Sequence, residues 1–386
     1  MKLKEYQSGA YKQQFEYKSF SPNTINHEWV WDDPMINVLL EEATGALGEL
    51  NAYTVIVPNV DIYVKMLVIK EATTSSRIEG TRTEMDEVLM SLEDIQPENR
   101  DDWEEVQNYI KAMNTAIIEL EKLPLSNRLI KKTHKILMSG VRGKNKNPGE
   151  FRRSQNWIGG ATLKDAYFIP PGHDEVPELM SDLEKFWHNR SIHVPNLIRV
   201  AVSHYQFETV HPFLDGNGRI GRLMITLYLV SKGLLSKPSL YLSAYLEKYK
   251  DAYYNALTTV RSTDDMGHWL KFFLNAVAHS AKSSKESFNK IFELRENIDK
   301  KIMKLGRKAV NGKRLVNHLF LSPLVDAKKI ASVLGVSKKT ASELINLFMR
   351  LDILVEITGK QRKRIFLFKD YMNIFLKNVD EDADNR

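Results

Sequence analysis

Apolar residues recur at spacings of three and four along most of the chain, which is the pattern of amphipathic helices. By this criterion the sequence predicts helices over residues 35–50, 61–78, 103–120, 129–138, 176–188, 197–210, 219–232, 245–260 and 268–280. Short apolar runs that indicate strands are predicted in two regions, near residues 166–169 and within residues 353–368. The chain is therefore predicted to fold as a mainly α protein.

Glycines and prolines indicate where the helices end. Gly80 is placed to end the second helix, and Thr83 with Asp86 three residues later predicts a capping box that begins the next one. The helical pattern is interrupted over residues 144–171, which are rich in glycine and proline. The short apolar run at residues 166–169 predicts a small β-hairpin inside this loop.

The last quarter of the chain has a different pattern. Two short predicted helices, 327–334 and 338–351, are separated by a Gly-Val-Ser turn in which Ser337 is placed to cap the second helix. Two predicted strands follow at residues 353–357 and 364–368, joined by a basic turn. This order of elements is typical of a winged helix.

Composition excludes several classes of protein. The 386 residues include no cysteine, which excludes disulfides and thiolate metal sites. No apolar run approaches the roughly 20 residues that a membrane-spanning helix needs. The first residues lack the pattern of a secretory signal. We therefore expect a cytoplasmic protein without membrane contact.

Charge is unevenly distributed along the chain. Residues 1–280 carry 32 Lys and Arg against 36 Asp and Glu, whereas residues 281–386 carry 23 against 13. A basic C-terminal part predicts an anionic partner such as DNA, and a merely solvated basic surface is the alternative. The side chains placed to meet DNA phosphates are Lys338, Lys339, Arg362, Lys363 and Arg364. A winged helix can equally serve in homodimer formation or protein docking.

The chemical signal is concentrated in residues 211–222, which read His-Pro-Phe-Leu-Asp-Gly-Asn-Gly-Arg-Ile-Gly-Arg. Two glycines flank Asn217 directly before a predicted helix. Glycine permits positive φ and a close approach of the backbone to a ligand. A helix N-terminus presents unpaired N–H groups and the positive end of the helix dipole. Together these features predict an anion hole suited to phosphate.

Four side chains around this hole fit a phosphoryl-type transfer. Arg219 and Arg222 project from one face of the first helical turn, where they can clamp successive phosphates. Asp215 is placed to hold Mg²⁺ against those phosphates. His211 can take the proton from an attacking hydroxyl near neutral pH. The chain contains neither a GxxxxGK[ST] P-loop nor the protein-kinase signature set.

The same stretch resembles the Fic family signature HxFx(D/E)GNGRxxR and matches it at every specified position. The resemblance implies a Fic-type helical core with a small β-hairpin flap, ATP and Mg²⁺ as ligands, and transfer of AMP to Ser, Thr or Tyr hydroxyls of a protein target. It implies that His211 is the base and Asp215 the Mg²⁺ ligand. The residues it assigns to the nucleotide are Gly216, Asn217, Gly218, Arg219, Ile220, Gly221 and Arg222.

Two further features are expected from the resemblance. Members of the family have a hairpin flap that aligns the target beside the site, and residues 162–169 are the candidate by position. Relatives also have aromatic residues about thirty positions after the motif, where Tyr254 is the candidate wall for adenine. A tyrosine packed in the core is the alternative for this position.

An inhibitory motif is the other expectation. Residues 75–80, Ser-Ser-Arg-Ile-Glu-Gly, resemble the family's (S/T)xxxE(G/N) motif, and Ser75 and Glu79 share a helix face. In relatives this glutamate pairs with the second arginine of the catalytic motif, here Arg222. The resemblance therefore implies autoinhibition by Glu79. A solvated glutamate at a helix end is the alternative.

These patterns divide the chain into five predicted parts: an N-terminal helical region with the inhibitory helix (1–110), a Fic catalytic core (111–280), a helical connector (281–312), a winged-helix unit (313–377) and an acidic tail (378–386).

Three functions stay open at this point. The first is a protein adenylyltransferase, which can also modify itself. The second uses the same site mainly to remove AMP, with Glu79 positioning water. The third is a DNA-binding regulator in which the Fic unit only senses nucleotide. The intact catalytic set favours an enzyme, because a sensor has no need of His211.

Overall fold

The computed structural model describes residues 1–57, 59–140 and 145–376. The predicted acidic tail, 378–386, lies outside the described residues. The fold is mainly α, as the periodicity predicts. The helices are α1 Pro34–Ile56, α2 Asp61–Ile78, α3 Met85–Val88, α4 Arg100–Leu120, α5 Asn127–Leu137, α6 Val176–His188, α7 Asn196–Val210, α8 Asn217–Ser231, α9 Ser243–Lys248, α10 Lys250–Thr263, α11 Met266–Met303, α12 Ala309–Leu321, α13 Ala327–Leu334, α14 Lys338–Arg350 and α15 Lys369–Leu376.

The structure changes three local expectations. Helix α3 is capped by Glu84 and Glu87, one residue later than the predicted Thr83 pair. The predicted helix 245–260 is two helices, α9 and α10, that meet at Tyr249. Helix α11 continues without a break through residue 280, where the sequence suggests a change from core to connector.

Helix α7 lies at the centre of the core, and every residue from Leu197 to Val210 is buried. The Ser203 hydroxyl of this helix accepts a hydrogen bond from Trp187 Nε1 at 3.1 Å. The backbone is held as well, because Trp269 Nε1 donates to the Ala201 carbonyl at 2.9 Å. Helices α6, α8 and α11 pack around α7. The rigid centre of the protein therefore leads directly into residue 211.

An N-terminal hairpin, which the periodicity does not predict, supports one side of the core. Strands β1, Gly9–Gln13, and β2, Lys18–Pro22, pair antiparallel. The Phe20 N–H donates to the Ile169 carbonyl at 2.9 Å, which joins this hairpin to the predicted flap region. In that region Ile158 and Phe168 form an isolated antiparallel bridge. The flap thus begins before residue 162.

The C-terminal unit has the element order that the sequence predicts. Helices α12, α13 and α14 precede β4, Val355–Glu356, and β5, Phe366–Leu367. A short strand β3, Leu324–Val325, completes an antiparallel sheet in the order β3-β5-β4. The unit packs on α2: the rings of Tyr63 and Phe320 meet edge to face, 6.0 Å apart.

Among the described residues, none of the helices is both long enough and apolar enough to span a lipid bilayer.

Candidate active site

The loop between α7 and α8 begins with a residue in an unusual backbone conformation. His211 follows α7 directly and adopts φ 49° and ψ 61°, in the left-handed region that non-glycine residues rarely occupy. Such strain persists only where the surroundings fix it, and it is common at functional sites. Here the surroundings are two side chains from the loop before α6. Arg152 Nε donates to the His211 carbonyl at 3.0 Å, and Asn156 Nδ2 donates to the same oxygen at 3.3 Å.

The ring of His211 is set up to accept a proton. Its Nδ1 lies 3.4 Å from the Glu208 carbonyl oxygen, which can only accept, so Nδ1 carries the hydrogen and Nε2 keeps its lone pair. Burial lowers the pKa of His211 to about 4. The imidazole is therefore neutral at physiological pH.

The start of α8 has the backbone geometry that an anion hole requires. Gly216 is the N-cap with φ 76°, a conformation that favours glycine. The first intrahelical bond joins the Ile220 N–H to the Gly216 carbonyl. The N–H groups of the first turn before it therefore have no intrahelical partner. The Asn217 side-chain amide accepts from the Phe213 N–H and donates to the Phe213 carbonyl, each at 2.8 Å, so the group that Asn217 can offer to a phosphate is its backbone N–H.

Arg219 faces α4. Its Nη1 donates to Glu105 Oε2 at 2.9 Å, and the arginine side chain is only 6% exposed. Its Nη2 lies 3.8 Å from Asp215 Oδ1. The Asp215 carboxylate also accepts from the Gly216 N–H at 2.6 Å, yet it is 46% exposed. One edge of the hole is thus a carboxylate open to solvent.

Arg222 faces α2, where the inhibitory motif was predicted. Arg222 Nε donates to the Ser75 hydroxyl at 2.8 Å, and Nη2 donates to the Ser75 carbonyl at 2.9 Å. Nη2 also donates to Glu79 Oε1 at 2.6 Å. The arginine side chain is 1% exposed. All three contacts come from the last two turns of α2 and its C-cap.

The Glu79 carboxylate lies against the anion hole itself. A Cβ placed on Gly218 would collide with Glu79 Oε1 and approach Arg222 Nη1 to 3.0 Å. Burial alone would raise the pKa of Glu79, but Arg222 outweighs it and holds the pKa below its ordinary value. The ionised carboxylate therefore stands beside the first turn of α8, where a phosphate would be bound.

His134 supports the loop from α5, and no local sequence signal indicates this role. Its ring stacks on Phe213 with 3.8 Å between centroids. The Gly149 N–H donates to His134 Nδ1 at 2.9 Å, so Nε2 carries the hydrogen and donates to the Asp215 carbonyl at 3.0 Å. Burial lowers the pKa of His134 to about 4. This neutral histidine fixes the backbone that carries Asp215.

A buried carboxyl lies two turns before Glu79 on the same face of α2. Glu71 accepts hydrogen bonds from the Ser243 hydroxyl at 2.5 Å and from the Tyr109 hydroxyl at 3.3 Å. Burial raises the pKa of Glu71. The carboxyl anchors α2 to α4 and α9, which keeps Ser75 and Glu79 in place opposite Arg222.

Two residues assigned to the nucleotide by resemblance pack elsewhere. The Ile220 side chain is fully buried, and its N–H is used by Gly216. Gly221 lies against α7, because a Cβ there would collide with Glu208 Oε1. Burial raises the pKa of Glu208 to about 7. We therefore interpret Ile220 and Gly221 as packing positions that bring α8 close to α7.

The two tyrosines that follow the motif, Tyr253 and Tyr254, differ in exposure. Tyr253 is buried, and its hydroxyl lies 2.9 Å from His204 Nε2. Tyr254 is 40% exposed. Of the two rings, Tyr254 is the more accessible one, and its role as the adenine wall stays a prediction.

The residues at the edge of the hole also fit Mg²⁺. The described residues include no cluster of three or more His, Asp or Glu side chains that could enclose a metal. Mg²⁺ bound with nucleotides commonly takes one or two carboxylates, phosphate oxygens and water. The half-exposed carboxylate of Asp215 is a ligand of that kind.

Two family models match the part of the chain that contains this site. The model described as "Fic/DOC family N-terminal" matches residues 38–118, and the model described as "Fic/DOC family" matches residues 124–229. Together the two matches span just under half of the chain. The second contains the whole motif from His211 to Arg222, and the first contains Ser75 and Glu79.

Curated relatives carry the name "Protein adenylyltransferase Fic". One from Drosophila persimilis is 32% identical over 130 residues, which are 32% of this chain and 22% of the relative. One from Drosophila ananassae is 38% identical over 88 residues, 22% of this chain and 16% of the relative. The matched segment thus spans less than a quarter of these relatives.

A solved structure shares the fold over most of the chain. The crystal structure of a Fic family protein from Desulfovibrio desulfuricans G20 has a TM-score of 0.55 and 21% identity, covering 87% of this chain and 96% of that one. The likeness shows a common fold that extends well beyond the motif.

Proposed function

The chain belongs to the Fic/DOC family, and on this premise we propose that it transfers AMP from ATP to a hydroxyl side chain of a protein, with Glu79 as its built-in inhibitor. The observation that carries the proposal is the arrangement of a neutral His211 beside an anion hole lined by Arg219 and Arg222. Base, phosphate site and cationic clamp are the parts that nucleotidyl transfer requires.

Each residue then has one task. The N–H groups at the start of α8 and the Arg219 guanidinium hold the α- and β-phosphates, and Arg222 holds the γ-phosphate. Mg²⁺ held by Asp215 would neutralise phosphate charge. His211 Nε2 takes the proton of the target hydroxyl as its oxygen attacks the α-phosphorus. The new P–O bond links AMP to the target, and the bond to the β-phosphate oxygen breaks, so that pyrophosphate leaves.

The exposure of the flap favours a protein as the substrate. Its bridge pairs Ile158 with Phe168, and the ring of Tyr167 between them is 90% exposed. An exposed strand end offers backbone groups to an extended peptide, which is a common way of aligning a target. A Ser, Thr or Tyr side chain of such a peptide would then point toward His211.

The inhibited state follows from the position of Glu79. As long as its carboxylate holds Arg222 and lies against Gly218, the γ-phosphate lacks its arginine and meets a like charge. ATP bound under those conditions would be displaced from the in-line geometry.

The direct test uses two labels of ATP. The Glu79→Gly variant is incubated in lysate with Mg²⁺ and either α-³²P-ATP or γ-³²P-ATP. Protein bands labelled from the α position only, and absent with the Glu79→Gly/His211→Ala double variant, are expected. Labelling from the γ position would identify a kinase instead. No labelling from either, combined with release of AMP from a pre-modified target by the wild type, would favour removal of AMP.

A further inference from the structure

A groove of about 690 Å³ separates the C-terminal unit from the segment that follows α3. One wall is formed by α14 and the turn between β4 and β5. The opposite wall is formed by Ser91, Glu93 and Asp94, which are all exposed. The two walls differ in charge.

The wall on the C-terminal unit has the features of a DNA-reading surface. Lys338, Ser342 and Asn346 line the groove at intervals of four residues, so they form one exposed face of α14. Helix α14 is the second helix of a helix-turn-helix, the element that enters the major groove in proteins of this kind. Lys363 and Arg364 extend the face from the turn between the strands. Within the described part of the chain, neither Lys338 nor Lys363 forms an ion pair.

The opposite wall belongs to a strongly acidic segment. Residues 84–105 contain ten Asp and Glu side chains and a single basic residue, Arg100. Across the groove this segment presents Glu93 and Asp94 to the basic wall. The acidic wall lowers the affinity of the groove for a polyanion and favours the position that the basic unit occupies.

The size of the groove decides what can enter it. A volume of about 690 Å³ is that of a small-molecule pocket. A DNA duplex must admit a whole helix, about 10–12 Å across, into a major groove about 12 Å wide. The turn at residues 91–94 leaves no room for that. Duplex DNA can therefore reach α14 only if this turn and the C-terminal unit separate.

We propose that the acidic turn covers a duplex-DNA site on the C-terminal unit, and that DNA binding there displaces the turn and releases the inhibitory helix. The turn follows Glu79 by little more than a dozen residues. The segment between them is held by contacts to the end of α2 and to α4: Arg77 pairs with Glu84 at 3.4 Å, and the Arg82 N–H donates to Asp102 at 2.8 Å. The C-terminal unit also contacts α2 directly, where Lys65 Nζ donates to the Leu321 carbonyl at 3.3 Å. Separation of the two walls thus removes the Lys65–Leu321 contact from α2 and displaces a segment that is tied to the end of the same helix.

The first experiment measures DNA binding by the full chain. A fluorescent duplex of mixed sequence is titrated with wild type, with Glu93→Gln/Asp94→Asn, and with a control, Glu41→Gln/Asp251→Asn, which removes two exposed charges elsewhere. Neutralising the turn is expected to tighten binding at least threefold, with no such gain in the control. Adding Lys338→Glu/Lys363→Glu to the first variant should abolish the gain. Equal affinities of the turn and control variants, or self-association without DNA binding, would overturn the proposal.

The second experiment tests the coupling, which rests on the proposed function. Self-labelling from α-³²P-ATP is measured with and without the duplex in wild type and in Glu79→Gly. The duplex is expected to raise the wild-type rate at least threefold and to leave Glu79→Gly unchanged. If Glu79→Gly labels itself but the duplex does not change the labelling rate of the wild type, only the proposed coupling is refuted. A Glu79→Gly variant that labels nothing refutes the adenylyltransferase itself.

Discussion

Arg222 Nη2 donates to Glu79 Oε1 at 2.6 Å and so joins the second turn of α8 to the end of α2. The arginine is almost fully buried, and its Nε and Nη2 are also bound by Ser75. A charge-assisted hydrogen bond to a buried guanidinium is strong, and removing one partner leaves the other uncompensated. Under the proposed function, the γ-phosphate of ATP would replace the lost carboxylate.

Glu79→Gly is therefore expected to raise the rate of AMP transfer, including transfer onto the protein itself. The substitution frees Arg222 and removes a negative charge from the edge of the phosphate site. Glycine at this helix end costs about 1 kcal/mol or less of helix stability, so the fold should persist. The measurement is the initial labelling rate from α-³²P-ATP, with Glu41→Gln, which removes an exposed carboxylate on α1, as the control. Arg222→Ala should be inactive with or without Glu79. Equal rates for wild type and Glu79→Gly would refute the inhibition.

His211→Ala, introduced into Glu79→Gly, is expected to lower the transfer rate by about 10²–10⁴-fold while ATP affinity changes little. The base acts on the incoming hydroxyl, whereas α8 and the arginines hold the nucleotide. Alanine is disfavoured at the positive φ of residue 211, so His211→Asn serves as the matched variant, since asparagine tolerates this conformation. Calorimetric titration with ATP separates binding from chemistry. Retained labelling in the asparagine variant would contradict the assignment of the base.

The transfer rate of Glu79→Gly should be nearly flat between pH 8 and pH 5.5. Burial lowers the pKa of His211 to about 4, and the charge of Glu79 acts in the opposite direction, so its removal lowers the pKa further. The neutral imidazole that accepts the proton is present above that pKa and is lost only as the pH falls through it. An ordinary histidine, with a pKa of about 6.5, would lose roughly tenfold in rate by pH 5.5. A tenfold decline in single-turnover labelling over this range would refute the assigned pKa.

Gly221→Ala should destabilise the protein by about 1–3 kcal/mol, because the new Cβ would collide with Glu208 Oε1 and force α7 and α8 apart. When Gly221→Ala is combined with Glu208→Ala, part of the lost free energy of unfolding should be recovered. Gly48→Ala is the control: it lies in α1 with open space around it and should be neutral or slightly stabilising. Denaturant unfolding of the four variants measures the free energies. Additive losses in the double variant would show that the two residues do not share this contact.

Much of the local structure could be predicted from the sequence. The periodicity places α2, α6 and α13 at the ends that the structure has, because an amphipathic stripe and its terminating residues are local properties. The anion hole is local as well, since Gly216 and the first turn of α8 are adjacent in the chain. The Ser75–Glu79 pair could be found only by resemblance, and its alternative, a solvated helix end, could not be decided from spacing.

Apart from the Glu79–Arg222 pair, which the resemblance implies, only the tertiary structure decides the partners of the charged residues. Arg219 and Arg222 look equivalent in sequence, yet one pairs with Glu105 and the other with Glu79, because successive turns of α8 face α4 and α2. Arg152, which holds the His211 carbonyl, has no local signal at all. A charge in a sequence specifies only that a partner of opposite sign is favourable. Which of many carboxylates fills that place depends on how the helices pack, and that is set by apolar contacts distributed over the whole core.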